Sequence, residues 1–221
     1  EVDNEEQITG DVSFPSEEEL KIRIMNSFSA QGRAVTEQDY KSLVYTMPQQ
    51  FGAVKRVNIV RDPDSLKRNL NLYVISEDEE GLLATTNSSI KENLKVWLNR
   101  HKMINDTIDI LDAPIINIGI NFVAIADMQT NKYDALSLAL EDLREEFDKL
   151  GEIGESFYIT DVYKVLRDTE GIVDVLDVEI IKKSGGEYSD NSFSVENNIS
   201  GDGRYIACPL NAIFEIKFPI S

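Results

Sequence analysis

Apolar residues recur along this chain at two spacings, and the switches between them outline its elements. Leu20, Ile24, Met25 and Phe28 follow one another at helical steps. They sit behind Ser16 and Glu19, whose spacing is that of a capping box, and Glu17-Glu18-Glu19 suit a helix N-terminus. A second helix is predicted from Thr36, which forms another capping box with Asp39. Val35 and Tyr40 flank it at the positions of a hydrophobic staple. Tyr40, Leu43, Val44 and Met47 make its apolar stripe, Pro48 ends it, and Phe51-Gly52 turns the chain into a strand.

Ala53 to Arg61 and Leu70 to Ser76 read as strands around a polar turn at Asp62-Pro63-Asp64. The second carries apolar residues on both faces, which predicts a central strand. After an acidic loop from Ser76 to Gly81, a helix is predicted from Ser88 to His101 with Ile90, Leu94, Trp97 and Leu98 on one face. A short strand follows at Thr107 to Leu111.

The second half repeats the theme. Ile116, Ile118, Ile120 and Phe122 alternate with Asn117, Gly119, Asn121 and Val123 in a half-buried strand. From Lys132 to Leu150, residues Tyr133, Leu136, Leu140, Leu143, Phe147 and Leu150 predict an amphipathic helix stopped by Gly151 and Gly154. Thr160-Asp161 opens a short helix ended by Gly171. Strands are expected at Val173 to Ile181 and at Ala212 to Phe218, the latter with Phe214, Ile216 and Phe218 on one face. Ser184 to Pro209, rich in Gly, Ser, Asn and Asp, reads as a mobile excursion or two-stranded flap.

Strands mixed with one or two covering helices define the α+β class. The expected organisation is an acidic flexible arm over 1–15, two N-terminal helices over 16–50, and two small modules of mainly antiparallel strands over 51–112 and 113–221. The second module contains the polar excursion at 184–209. With 42% apolar residues in 221, the chain is long enough for a sizeable core. No apolar run approaches the roughly 20 residues of a membrane span. No basic segment leads into an apolar one at the N-terminus, so no signal peptide is expected. The missing initiator methionine suggests a processed product or an excised segment.

Charge narrows the partners. Forty acidic residues against 22 basic ones give −18, a field that repels phosphate and argues against nucleic acid and anionic membranes as partners. Solubility is the simplest use of that charge. The single cysteine, Cys208, excludes an internal disulfide.

The search for chemistry yields no anchor. His101, the one histidine in the sequence, falls four residues after Trp97 on an apolar helix face, a packing position. A Cys208–His101 dyad is allowed by spacing, but Cys208 precedes Pro209 in a polar excursion, a poor place to preorganise a nucleophile. Asp62-Pro63-Asp64 and the carboxylates from Asp190 to Asp202 fit turns better than a calcium loop. Gly151-Glu152-Ile153-Gly154 lacks the Lys-Ser/Thr of a phosphate loop, and Glu152 and Glu155 would repel phosphate. Asn87, Asn105 and Asn198 begin glycosylation sequons that read as incidental without a secretory signal. No catalytic, cofactor-binding or metal-binding residue is assigned, no cofactor is expected, and the expectation is a non-enzyme.

One ordered series of residues adds to this. Arg33-Ala34-Val35-Thr36-x-x-Asp39-Tyr40, Phe51-Gly52-Ala53-Val54 and Leu72-Tyr73-Val74-Ile75 come first. Ile90 to His101, Ile153-Gly154-Glu155, Thr160-Asp161-Val162-Tyr163 and Gly171-Ile172-Val173 follow in that order, and Val178 comes after them. The series resembles the baseplate J-like family of contractile-tailed bacteriophages. The ending Ile213-Phe214-Glu215-Ile216-Lys217-Phe218-Pro219 looks like the wedge proteins of T4-like myoviruses. The resemblance covers roughly Ser16 to Ile181 and the last strand, and departs from many relatives in the excursion.

What the resemblance implies is a structural protein of the virion, located in the tail baseplate and assembled in the host cytoplasm. It would bind other wedge proteins and self-associate as a dimer or ring, with no catalytic residue. The first two helices are candidates for packing on a neighbouring subunit or, alternatively, for capping their own domain. Two rival readings remain open. One is a baseplate component of a bacterial contractile injection system; the other is an acidic hydrolase using paired carboxylates or the Cys208–His101 dyad.

Overall fold

The computed structural model describes residues 33–62, 68–78, 81–147, 151–186 and 188–217, with Glu17, Leu20, Lys21, Ile24 and Met25 before them. Those five are helical, and Lys21 Nζ lies 2.8 Å from Glu17 Oε1, one helical turn away. The expected 1–15 arm, the Ser16–Glu19 capping box, Pro63-Asp64, Leu150 and Phe218-Pro219 lie outside the described residues. The fold is α+β, and the chain divides into two compact units, Glu1–Ala113 and Pro114–Ser221.

The first unit runs α1 (Glu37–Tyr45), a 3-10 turn (Gln49–Phe51), β1 (Arg56–Arg61), β2 (Arg68–Glu77), β3 (Leu83–Ala84), α2 (Ser88–Asn99) and β4 (Asp106–Asp112). β2 is central, as its two apolar faces predict. It pairs antiparallel with β1 and β3 and parallel with β4. The parallel pair needs a long crossover, and the chain supplies it through α2. Val57 opposes Val74 and Ile59 opposes Leu72. These residues and Leu70 and Ile108 meet Tyr40, Leu43 and Val44 of α1 and Ile90, Leu94 and Leu98 of α2 in one core. The strand face bearing Ile75 is polar at its ends, where Lys55 and Glu77 form a largely buried ion pair at 2.9 Å.

The second unit contains β5 (Ile115–Ala126), α3 (Lys132–Phe147), β6 (Phe157–Tyr158), α4 (Ile159–Asp168), β7 (Ile172–Lys182), α5 (Val195–Asn198), β8 (Tyr205–Ile206) and β9 (Ile213–Glu215). Here β5 is central, antiparallel to β7 and parallel to β9, while β6 pairs antiparallel with β8. Ile116 and Ile118 face the core with Val175, Val178 and Ile180, under Ile159, Val162 and Leu166 of α4. α4 opens one residue before Thr160, after Tyr158 and without a side-chain cap.

Three expectations change in this unit. The buried line of α3 is Ala135, Ala139 and Leu143, whereas Tyr133 and Leu136 are exposed. Small residues allow close approach, and the rotation is held where Thr169 Oγ1 donates to Asp142 Oδ2 at 2.7 Å. In β9 the buried residues are Ile213 and Glu215, the opposite parity to Phe214 and Ile216. Asn117 Nδ2 donates to Glu215 Oε2 at 2.7 Å and draws that carboxylate inward, while Phe214 packs edge-on against Phe193. The 184–209 excursion is tied to the core rather than free, and part of it pairs with itself as a short flap: Ile199 and Ile206 form an antiparallel bridge, with Ser200 N–H donating to Tyr205 O at 2.8 Å and Ala207 N–H to Asn198 O at 2.9 Å. Ser189 N–H donates to Asn117 Oδ1 at 2.8 Å, Asn191 Nδ2 to Ile115 O at 2.7 Å, and Lys182 Nζ to Asn191 O. Its strand β8 pairs with β6, and Ile206 is fully buried.

Gly52 offers a direct test of the first core. Its φ is +98°, and an added Cβ would sit 2.6 Å from Ile90 Cγ1. Gly52→Ala should therefore cost roughly 1–3 kcal/mol, from backbone strain and overpacking together. The readout is a lower urea midpoint for this unit, and an unchanged midpoint would contradict the geometry.

Candidate functional site

The segment from Arg33 to Tyr40 begins as a helix cap and ends as a polar lock. Thr36 N–H donates to Asp39 Oδ2 at 2.9 Å, and Asp39 N–H donates to Thr36 Oγ1 at 3.2 Å, completing the predicted capping box. Val35 N–H reaches the same carboxylate at 3.1 Å. Burial acts on Asp39 to raise its pKa, but the backbone donors of Thr36 and Val35 and the Thr36 hydroxyl outweigh it and hold the carboxyl below its usual range.

The staple is rearranged. Val35 stays half exposed, while Ala34 enters the core and its N–H donates to His101 O at 3.0 Å. Tyr40 is fully buried, and its hydroxyl donates to Asp106 Oδ2 at 2.7 Å while accepting from Met103 N–H at 3.3 Å. Lys102 Nζ closes the turn on Asp106 O at 2.7 Å, and Trp97 Nε1 donates to Leu43 O at 2.8 Å. These contacts join α1, α2 and the start of β4. An open cleft of about 510 Å³ lies beside the cap, lined by Val35, Thr36, Glu37, Gln38, Lys41 and Arg61. At its rim the Asp39 carboxylate accepts from the Val35 and Thr36 N–H groups and so places a negative charge beside the cleft.

The other sequence candidates are used in packing or turns. His101 packs tilted against Trp97, with ring centroids 4.8 Å apart and 54° between the ring planes, in the first unit. Cys208, in the second, donates its thiol to Ala212 O at 3.3 Å. Burial, with the nearby Glu155 charge, pushes that thiol up to about 11 despite a favourable Gly154 backbone contact. Glu155 folds back to accept from Glu152 N–H at 2.7 Å, which fills the Gly151–Gly154 turn with its own carboxylate. Asp202 accepts from Ser200 Oγ at 2.6 Å and has Arg204 Nε at 3.4 Å, a turn arrangement; the Ser200 hydroxyl chiefly lowers its pKa. Asp62 N–H donates to Asn69 O. Asn87 caps α2 by accepting from Ser89 N–H, and Asn198 Nδ2 donates to Ser194 O.

Buried carboxylates are committed as well: Asp106 to Tyr40, Glu77 to Lys55, and Glu215 to Asn117. Among the described residues no three His, Cys, Asp or Glu side chains gather as a metal site, and no helix is long and apolar enough to cross a membrane. Sequence reasoning placed the cap correctly but did not find Asp106 or Glu215. Each lies in an ordinary polar-apolar alternation with no local signal of its distant partner.

Comparison with known proteins adds one finding. No family model matches the chain, and no curated protein matches it. Among solved structures, its fold is similar to a chain in the cryo-EM structure of the anti-feeding prophage baseplate, with six-fold symmetry applied. The TM-score is 0.57 at 12% identity. The match covers 91% of this chain and 42% of the other, so this chain spans less than half the length of the one it matches. At that identity the likeness is one of fold.

Two expected outcomes follow from the polar lock and the thiol. Tyr40→Phe removes the donor to a buried carboxylate and should cost roughly 1–3 kcal/mol in chemical denaturation. A neutral effect would mean that Asp106 does not depend on it. For Cys208, the rise from 9.0 to about 11 means about 100-fold less thiolate at neutral pH. Alkylation of the native protein should be slower by that factor than of an exposed cysteine, and fast labelling would revive the nucleophile reading.

Proposed function

We propose that this chain is a structural component of a contractile-tail baseplate, acting in baseplate assembly through protein–protein contacts and without catalysis. The observation that carries the reading is the fold likeness to a baseplate chain across 91% of this chain. The ordered residue series described above supports it independently, and so does the use of the candidate catalytic groups in packing and turns. Within this reading the chain is a wedge protein of the baseplate J-like family. It binds other wedge proteins, self-associates as a dimer or ring, and resides in the tail of the virion after assembly in the host cytoplasm. Of the helices of 16–50, the first, with Leu20, Ile24 and Met25 exposed, is the part offered to a neighbouring subunit, whereas α1 packs on its own unit; the 51–112 and 113–221 modules present further faces. A bacterial contractile injection system is the second reading, favoured by the nature of the matched baseplate. Capsid and terminase genes beside this one would favour a phage; effector and ATPase genes would favour an injection system.

The decisive experiment labels the chain in purified contractile particles and locates the label by electron microscopy. Density at the baseplate end is expected, and absence from the particles would sink the reading. Sedimentation of the isolated protein over a concentration series should show a dimer or larger species. A strict monomer at the highest concentration would remove self-association by this chain alone.

A further inference from the structure

The outer face of the antiparallel pair β5–β7 is exposed at Asn121, Val123 and Ile125 of β5 and at Val173, Asp174, Leu176, Asp177 and Glu179 of β7. In register, Asn121 opposes Glu179, Val123 opposes Asp177, and Ile125 opposes Asp174. The ladder shifts register twice. Leu176 is skipped between the partners of Val123 and Ala124, and Val173 between those of Ile125 and Ala126. Both skipped residues are apolar and face water: Val173 is 65% exposed and Leu176 61%, beside Val123 at 54% and Ile125 at 45%. Four large apolar side chains at the end of one strand pair make a patch of the kind that marks a binding surface. A row of carboxylates borders it. Asp174 has Arg167 Nη2 at 3.6 Å, while Asp177 and Glu179 lie exposed along the same strand.

We propose that this face binds a different protein, through an apolar centre edged by lysine or arginine; this rests on the baseplate reading for where that partner is found. Charge selects the occupant. A second copy would bring the same aspartates and glutamate against themselves, on a chain whose formal charge is already −18. A basic-edged partner turns that repulsion into attraction. The bulges also weaken the β7 edge as a template for strand addition, so the contact is made by side chains on the sheet face.

The test uses purified particles containing the full chain. A zero-length carbodiimide reagent joins carboxylates to lysines in contact, and mass spectrometry identifies the joined peptides. Asp177 and Glu179 should be linked to lysines of another protein, and both should lose the labelling by glycine ethyl ester seen on the isolated chain. The variant Leu176→Asp, checked for native circular dichroism, should lose those links. Asp177→Lys with Glu179→Lys should do the same without disturbing the apolar centre. Links between two copies of this chain, or undiminished glycine ethyl ester labelling in the particles, overturn the proposal alone. Absence of the chain from the particles overturns the baseplate reading, and this proposal with it.

Discussion

A phenol taken wholly out of water needs a partner for its hydroxyl, and for Tyr40 that partner is Asp106, 66 residues further along the chain. The bond ties α1 to the first residue of β4, the last strand of the unit. Between its two ends the chain passes through β1, β2, β3 and α2. The second unit closes in the same way, through Asn117 and Glu215, 98 residues apart, joining its central strand to its last described strand. Apolar burial supplies most of the driving force in each unit. These polar bonds favour the arrangement of apolar faces that also pairs Tyr40 with Asp106 and Asn117 with Glu215.

The commitment of polar groups to closure bears on function. A catalytic carboxylate or thiol has to be held in place yet remain available to a substrate. Asp106, Glu77 and Glu215 are held but occupied, and Cys208 is kept protonated by burial. What the fold leaves available is surface. α3 turns its alanines inward and keeps Tyr133 and Leu136 outside, and the bulges of β7 leave Val173 and Leu176 outside as well. Exposed apolar groups on regular elements suit a protein whose work is contact with other proteins.

Element type was largely legible in the sequence because it depends on local patterns. The capping box at Thr36, the two-faced apolar run of β2, the alternation in β5 and the helix from Ser88 can all be read within a few residues, and the structure has them. The candidate chemistry was legible only in part. Packing of His101 against Trp97 follows from four-residue spacing, whereas the engagement of Cys208 with Ala212 needed the folded turn.

What tertiary structure decided is which of several allowed faces is buried. The leucine stripe of α3 gives way to an alanine line because close packing and the Thr169–Asp142 bond reward the smaller side. β9 turns Glu215 inward because Asn117 waits there, and the polar 184–209 segment is held down by Asn117, Asn191 and Lys182. By itself the sequence determined where helices and strands form, since that is set by neighbours along the chain. Their rotation, their parity and the anchoring of the long polar segment were decided only in three dimensions, because the partners that set them are tens of residues away.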